Sequence, residues 1–319
     1  MSKVAPQLVL ADNLILDAVE AAAQRLAFLG ASGSGKSYGS GRYVEQLAAA
    51  HVPVIVLDTV GIWPSIRLAK DGKSPGLPFV IIGGDHADVP AQLGRGGELA
   101  RFLVSQNASV VVDLSDYAPD ERAPFVADLC ERLLIECKQQ IRRRPRVVVY
   151  DEAQDLAPEK PAKGEDRMLK AVSALIRKGR NHLVGTVLLT QRPADVSKTA
   201  LNLCGTLLVG AMFAKHDRTA VRDWAGAKAR SLAVEAQLTE LPELPPGDFF
   251  VWSPQWLRRY ERITILPKWT FDGSSSTPLP GDASLGKVAP VDVGALRALL
   301  APPAPLPPAA PAGKTSKSN

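Results

Sequence analysis

Gly30-Ala31-Ser32-Gly33-Ser34-Gly35-Lys36-Ser37 matches the pattern G-x-x-x-x-G-K-[ST] without mismatch. Glycines let the backbone turn tightly enough for successive N–H groups to point inward at phosphate oxygens. The helix expected after Gly35 adds the positive end of its dipole. In such a loop the lysine, here Lys36, reaches the β- and γ-phosphates, and the hydroxyl of Ser37 ligates Mg²⁺. With glycine at about 7% of residues, a chance match arises on the order of once per hundred chains of this length. The apolar run Leu26-Ala27-Phe28-Leu29 supplies the preceding strand that a strand–loop–helix setting requires. Gly30 to Ser37 is therefore the expected phosphate-binding loop.

About 115 residues further on, Val147-Val148-Val149-Tyr150-Asp151-Glu152 reads as a buried strand ending in two carboxylates. Strand C-termini in a parallel sheet face the ligand crevice. Asp151 is then expected in the Mg²⁺ shell and Glu152 beside the attacking water. An Asp-Glu pair alone fits any solvated strand end, and the upstream loop is what gives this one meaning. A further buried run, Val184 to Thr190, ends in Gln191-Arg192-Pro193, where Gln191 is placed to sense the γ-phosphate or the water. No N-K-x-D string is present to read guanine, and no L-S-G-G-Q string marks a transporter cassette. ATP is the expected nucleotide. Asp151-Glu152-Ala153-Gln154-Asp155-Leu156 is similar to the acidic box of two-domain monomeric helicases, but too little chain follows for a second ATPase-like domain.

Working outward, residues 1–272 read as one α/β unit, with β-branched runs alternating with longer amphipathic ones. Strands are expected at Arg25–Leu29, Val54–Asp58, Phe79–Ile82, Ser109–Asp113, Arg146–Asp151, Val184–Thr190 and Thr206–Val209. A closing pair, Gly247–Trp252 and Arg258–Ile263, turns at Ser253-Pro254. Helices are expected after Gly35, Pro119, Glu165, Asp195 and Asp217, and over Arg230–Leu238. From Gly273 to Asn319 the chain holds nine prolines in 47 residues and no aromatic. Such a segment buries too little apolar area to offset its ordering entropy. It reads as a disordered Pro-, Ala- and Ser-rich tail, with a short helix at Val291–Leu300 as its one structured piece.

Hydrophobic residues at 46% and charged ones at 22% are ordinary for a globular chain. No basic leader precedes an apolar stretch, and no run of ~18 apolar residues occurs, which argues against export or a membrane partner. Cys130, Cys137 and Cys204 lack metal-like spacing and read as core thiols in a reducing cytoplasm. A net charge of +5 with a pI near 9.1 mildly favours a polyanionic partner. Arg142-Arg143-Arg144-Pro145-Arg146 sits at an expected helix C-terminus, where it complements the dipole or touches a DNA backbone.

Taken in order, these strings resemble the HerA/FtsK superfamily of ring-forming DNA-pumping ATPases. The likeness rests on the phosphate loop, Asp58-Thr59-Val60-Gly61-Ile62-Trp63, Val110 to Ser115, Asp151 to Gln154, Arg177-Lys178-Gly179-Arg180, Thr190-Gln191-Arg192-Pro193, Asp195 to Lys198, and Ala214 to Arg218. It is closest to a compact HerA-like translocase, since the 29 residues before the loop are too few for the HerA N-terminal barrel. The resemblance implies a RecA-like P-loop NTPase domain, a hexameric homo-oligomeric ring, ATP and Mg²⁺ as ligands, and DNA as partner. A nuclease or other processing partner is a further implication. It also implies that Arg177 or Arg180 acts as an arginine finger in a neighbour's site, alongside catalytic Glu152 and Gln191. The rival expectations are a motor of the same ancestry for phage or protein assembly or secretion, and a nucleotide switch with slow hydrolysis.

Overall fold

The structure is a computed structural model and describes residues 6–228, 232–273 and 291–301. In chain order its strands are β1 Gln7–Ala11, β2 Leu14–Asp17, β3 Arg25–Leu29, β4 Val54–Asp58, β5 Val80–Ile82, β6 Val110–Asp113, β7 Arg146–Tyr150, β8 Val184–Thr190, β9 Thr206–Val209, β10 Asp248–Ser253 and β11 Arg259–Thr264. The α-helices are α1 Ala18–Ala22, α2 Lys36–Ala49, α3 Gly96–Gln106, α4 Pro119–Cys137, α5 Ala153–Leu156, α6 Asp166–Gly179, α7 Lys198–Leu203, α8 Lys215–Lys228, α9 Leu232–Glu240 and α10 Val293–Leu300. Every strand expected from the sequence is present to within a residue. Of the expected helix at Arg230–Leu238, Arg230 and Ser231 lie outside the described residues.

Nine strands form one sheet in the order β11-β10-β9-β3-β8-β7-β4-β6-β5. From β9 to β5 all neighbours are parallel, while β10 runs antiparallel to β9 and β11 antiparallel to β10. The central strands are apolar on both faces because helices cover both. Helices α3, α4 and α6 pack on one face, whereas α2, α1 and the β1–β2 hairpin cover the other. On the α2 face Phe28 of β3 joins helix and sheet, with its ring centroid 6.2 Å from that of Tyr43 on α2 and 6.1 Å from that of Phe249 on β10. Each such fully buried ring stabilises the fold by about 1.5–3 kcal/mol. Cys130, Cys137 and Cys204 are buried free thiols, as expected, and burial pushes the Cys130 thiol up to about 12.

Three packing features were not anticipated. The hairpin β1–β2 carries Leu8, Leu10, Leu14 and Leu16 into the core beneath α2. Its edge is satisfied by α2, where Gln46 Oε1 accepts from Val9 N at 3.0 Å and Arg42 donates to Val9 O at 3.1 Å. Helix α3 packs along α4. The third is the docking of the short helix expected at Val291–Leu300, which is present as α10. Helix α10 docks on α3 with Leu296 and Leu300 buried, and Arg297 donates to Asp88 O at 2.6 Å. Two leucines one turn apart give it an apolar face, and α3 supplies the surface to bury it. Residues 274–290 and 302–319 of the expected tail lie outside the described residues.

Candidate functional site

Strand register brings the candidate residues together. Leu29 at the end of β3 pairs with Thr190 of β8, and Tyr150 at the end of β7 pairs with Leu188 of β8. The loop after β3, the acidic pair after β7 and Gln191 after β8 therefore emerge side by side at the C-terminal edge of the sheet. Gly33 (φ 79°) and Gly35 (φ 89°) hold the loop in left-handed turns that an L side chain rarely adopts. A side chain at Gly35 would also strike Gly247 N at 2.8 Å. Among the described residues, the N–H groups of Ser32, Gly33, Gly35, Lys36 and Ser37 have no protein acceptor. Ala31 N instead donates to Ala211 O at 2.7 Å, which anchors the loop's start. Ser34 Oγ is buried without a partner among the described residues. A turn of free amides at a helix N-terminus, with a buried lysine beside it, fits a phosphate chain.

Glu152 is the hub of the polar contacts. Its Oε1 accepts from Lys36 Nζ at 3.2 Å and from Gln191 Nε2 at 3.2 Å. Its Oε2 accepts from Gln154 Nε2 at 2.8 Å, and Gln154 Oε1 in turn accepts from Thr190 Oγ1 at 2.6 Å. Glu152 itself has φ 45° and ψ 65°, a left-handed backbone conformation that aims its side chain back toward Lys36. Asp151 is 1% exposed. Its Oδ2 accepts from Trp63 Nε1 at 2.9 Å, and Lys36 Nζ lies 3.9 Å from Oδ1. Burial raises the pKa of the Asp151 carboxyl, Lys36 opposes that shift and Glu152 adds to it. Asp58 at the end of β4 accepts from Val60 N, Gly61 N and Trp63 N at 2.8–2.9 Å, which folds the 59–63 turn so that Trp63 meets Asp151. Burial, with Asp151 nearby, pushes the Asp58 carboxyl up to about 7 against those three donors. The Asp151 carboxylate, 3.9 Å from Lys36 Nζ, and the hydroxyl of Ser37, the residue after Lys36, are oxygen donors of the kind that suits a hard divalent cation such as Mg²⁺.

The cleft over these residues has a volume of about 620 Å³. Ala31, Ser32, Gly33, Gly35, Lys36, Ser37, Glu152 and Gln191 all line it. Trp63, Asp58, Gln154 and Thr190 had no assigned role in the sequence reading. The signal for them was there, in the short polar strings directly after strands β4, β7 and β8.

Arg177 and Arg180 do not join this site. Arg177 lies in the last turn of α6 and Arg180 opens the turn before β8, both exposed and at the opposite edge of the sheet from Glu152. Seven residues of β8 separate the two edges, roughly 20 Å at the ~3.3 Å rise of a strand residue. Arg180 lines a different pocket with Gln24, Arg25 and Gly205. The Arg142–Arg146 cluster also divides. Arg146 is buried at the start of β7 and Arg142 pairs with buried Glu136, so only Arg143 and Arg144 remain exposed for a backbone contact. Among the described residues no helix is long and apolar enough to cross a membrane.

The sheet order, the loop and the acidic strand together define a RecA-like P-loop NTPase fold. Two solved structures share it, and a third stands beside them. The bacterial conjugative coupling protein TrwBΔN70 is 11% identical with a TM-score of 0.57, the match covering 87% of this chain and 91% of that one. VirB4 of Thermoanaerobacter pseudethanolicus is 14% identical with a TM-score of 0.53, over 84% and 97%. The genome packaging NTPase B204 of Sulfolobus turreted icosahedral virus 2, in complex with ATP-γS, is 15% identical with a TM-score of 0.49, over 77% and 98%. The sequence matches no protein-family model and no curated protein. At these identities the likeness to TrwBΔN70 and VirB4 shows the fold alone.

Proposed function

We propose that this protein is an ATP-hydrolysing motor that assembles as a ring, a hexamer of identical subunits, and moves along DNA. The observation that carries the chemistry is the meeting of Lys36, Gln191 and Glu152 at 3.2 Å, each from a different strand end. In this arrangement the amides of Gly33 to Ser37 cradle the triphosphate. Ser37 and Asp151 would hold a Mg²⁺, which would supply positive charge against the β- and γ-phosphates. Lys36 leaves Glu152 for the phosphates, which frees Glu152 Oε1 to orient and polarise the attacking water. Gln191, already on that oxygen, senses whether the γ-phosphate is present. Trp63 keeps Asp151 from rotating away.

Movement along DNA is supported by the resemblance in the ordered strings and by the fold shared with a conjugative coupling protein. The net charge of +5 agrees with a polyanionic partner. The test is the ATPase rate with and without double- and single-stranded DNA, with the oligomer's mass measured alongside. Stimulation by DNA in a hexamer supports the motor. A steady ATPase that no DNA alters points instead to an assembly or secretion motor, which VirB4's shared fold also accommodates.

A further inference from the structure

At the edge of the sheet opposite the phosphate loop, a smaller pocket of about 190 Å³ opens between the start of β3 and the turn before β8. Gln24, Arg25, Arg180, Gly205, Gln255 and Trp256 line it, and no acidic residue is among them. Arg25 is the first residue of β3 and pairs in register with Thr186 of β8, while Arg180 opens the turn that leads into the same strand. Strand pairing therefore brings the two arginines to one place. Among the described residues neither guanidinium has an ion-pair or hydrogen-bond partner. Burial lowers the pKa of the Arg25 guanidinium, the charge of Arg180 lowers it further, and Cys204 opposes them. Glu20 accepts from Trp256 Nε1 at 3.5 Å and pairs with neither arginine. Gly205, whose N–H donates to Arg25 O at 2.9 Å, leaves the wall low, since a Cβ there would meet nothing within 4 Å.

We propose that this pocket binds a phosphate group, free or as a phosphomonoester, with Arg25 and Arg180 as its two cations. Like charges held together in a partly buried pocket repel, and an anion between them removes that cost. A phosphate monoester carries close to two negative charges at pH 7, which balances two guanidiniums, whereas a carboxylate carries one. Guanidinium forks match phosphate oxygens in pairs, and the Gln255 carboxamide adds a further donor. The pocket, at about 190 Å³, falls below the ~300–1,000 Å³ of sites that bury a whole small molecule. It therefore suits a single charged group whose remainder stays outside. The site lies across the sheet from this chain's own phosphate loop and does not rest on the nucleotide reading.

The test titrates inorganic phosphate, phenyl phosphate and acetate by calorimetry into the full chain carrying Lys36→Ala, which disables the phosphate loop. Inorganic phosphate should bind, and acetate should bind at least about tenfold more weakly. Adding Arg25→Gln should weaken phosphate at least about tenfold, the scale of a hydrogen bond to a charged group. Adding Gly205→Val instead keeps both cations and fills the pocket, and it should weaken phosphate as much. Both additions should leave the melting temperature where it was. Phenyl phosphate bound as tightly as inorganic phosphate assigns the site to a monoester, and looser binding assigns it to the free ion. No phosphate binding in Lys36→Ala, binding that neither addition weakens, or acetate bound as tightly as phosphate overturns the proposal.

Discussion

Lys36 and Glu152 satisfy each other across 3.2 Å, and the two substitutions that break this pair should fail differently. Lys36→Ala removes the ammonium that the β- and γ-phosphates need and that no methyl replaces. It should abolish tight ATP binding, measured by equilibrium titration, and turnover with it. Glu152→Gln keeps the shape of the site and removes only the charge that activates water. It should bind ATP as the parent does and lose at least about a hundredfold in turnover, the order expected when general-base help is withdrawn. A parent-like rate in that variant would move water activation to another residue. Trp63 acts through Asp151 and touches no substrate. Trp63→Phe keeps a smaller aromatic ring and removes the donor at 2.9 Å from Asp151 Oδ2. Loss of such an outer-shell partner costs roughly tenfold in metal affinity. The Mg²⁺ concentration for half-maximal turnover at saturating ATP should rise accordingly, and an unchanged Mg²⁺ curve would make Trp63 a packing residue only.

Elements with strong local signals were legible and those made by packing were not. The strands around Val54, Val110, Val147 and Val184 announce themselves through β-branched runs. Helix α3 opens on Gly96-Gly97, poor helix formers, yet a side chain at Gly96 would come within 2.3 Å of Phe125 O. The glycine is needed for α3 to approach α4, and no local pattern states that. The β1–β2 hairpin did carry a signal, since Asp12-Asn13 divides two runs of alternating leucines. Helix α10 was legible as a short helix but its docking was not; it is eight residues long and flanked by proline-rich chain. Isolated helices of that length are marginal, and tertiary burial of one face supplies most of their stability. Leu296, 0% exposed, should therefore cost about 2–3 kcal/mol when replaced by alanine. Deleting residues 291–319 should lower the melting temperature by several degrees. An unchanged melting curve after that deletion would return α10 to the status of an undocked tail.

Across the whole molecule the two edges of the sheet have separate tasks. The C-terminal edge holds the cleft proposed for the nucleotide, and the N-terminal edge presents Arg177 and Arg180, too far away to serve their own subunit's cleft. A catalytic role for either arginine requires a second subunit. If one is a finger in trans, its alanine variant should bind ATP normally and hydrolyse it slowly, with a loss on the order of a thousandfold. Mixing that variant with Lys36→Ala subunits should restore activity, because some interfaces then pair an intact loop with an intact arginine. The two arginines need separate substitution, with subunit exchange checked by a mass-labelled copy. Parent-like turnover in both variants removes the finger. Loss without rescue, despite exchange, assigns the residue to its own subunit and contradicts the geometry.

By itself the sequence determined the phosphate loop, the acidic pair and the α/β class, because each is written in contiguous residues. Glycines must occur where the backbone turns around phosphate, and apolar runs must occur where strands are buried on both faces. Only the tertiary structure decided that β8 lies between β3 and β7, which sets Gln191 beside Glu152. It alone brought Trp63 to Asp151 across 88 residues of chain, placed the β10–β11 end against the loop, and put Arg177 and Arg180 on the far edge. Those are matters of strand order and crossover, and strand order depends on which buried surfaces fit one another, not on the local pattern that makes each strand.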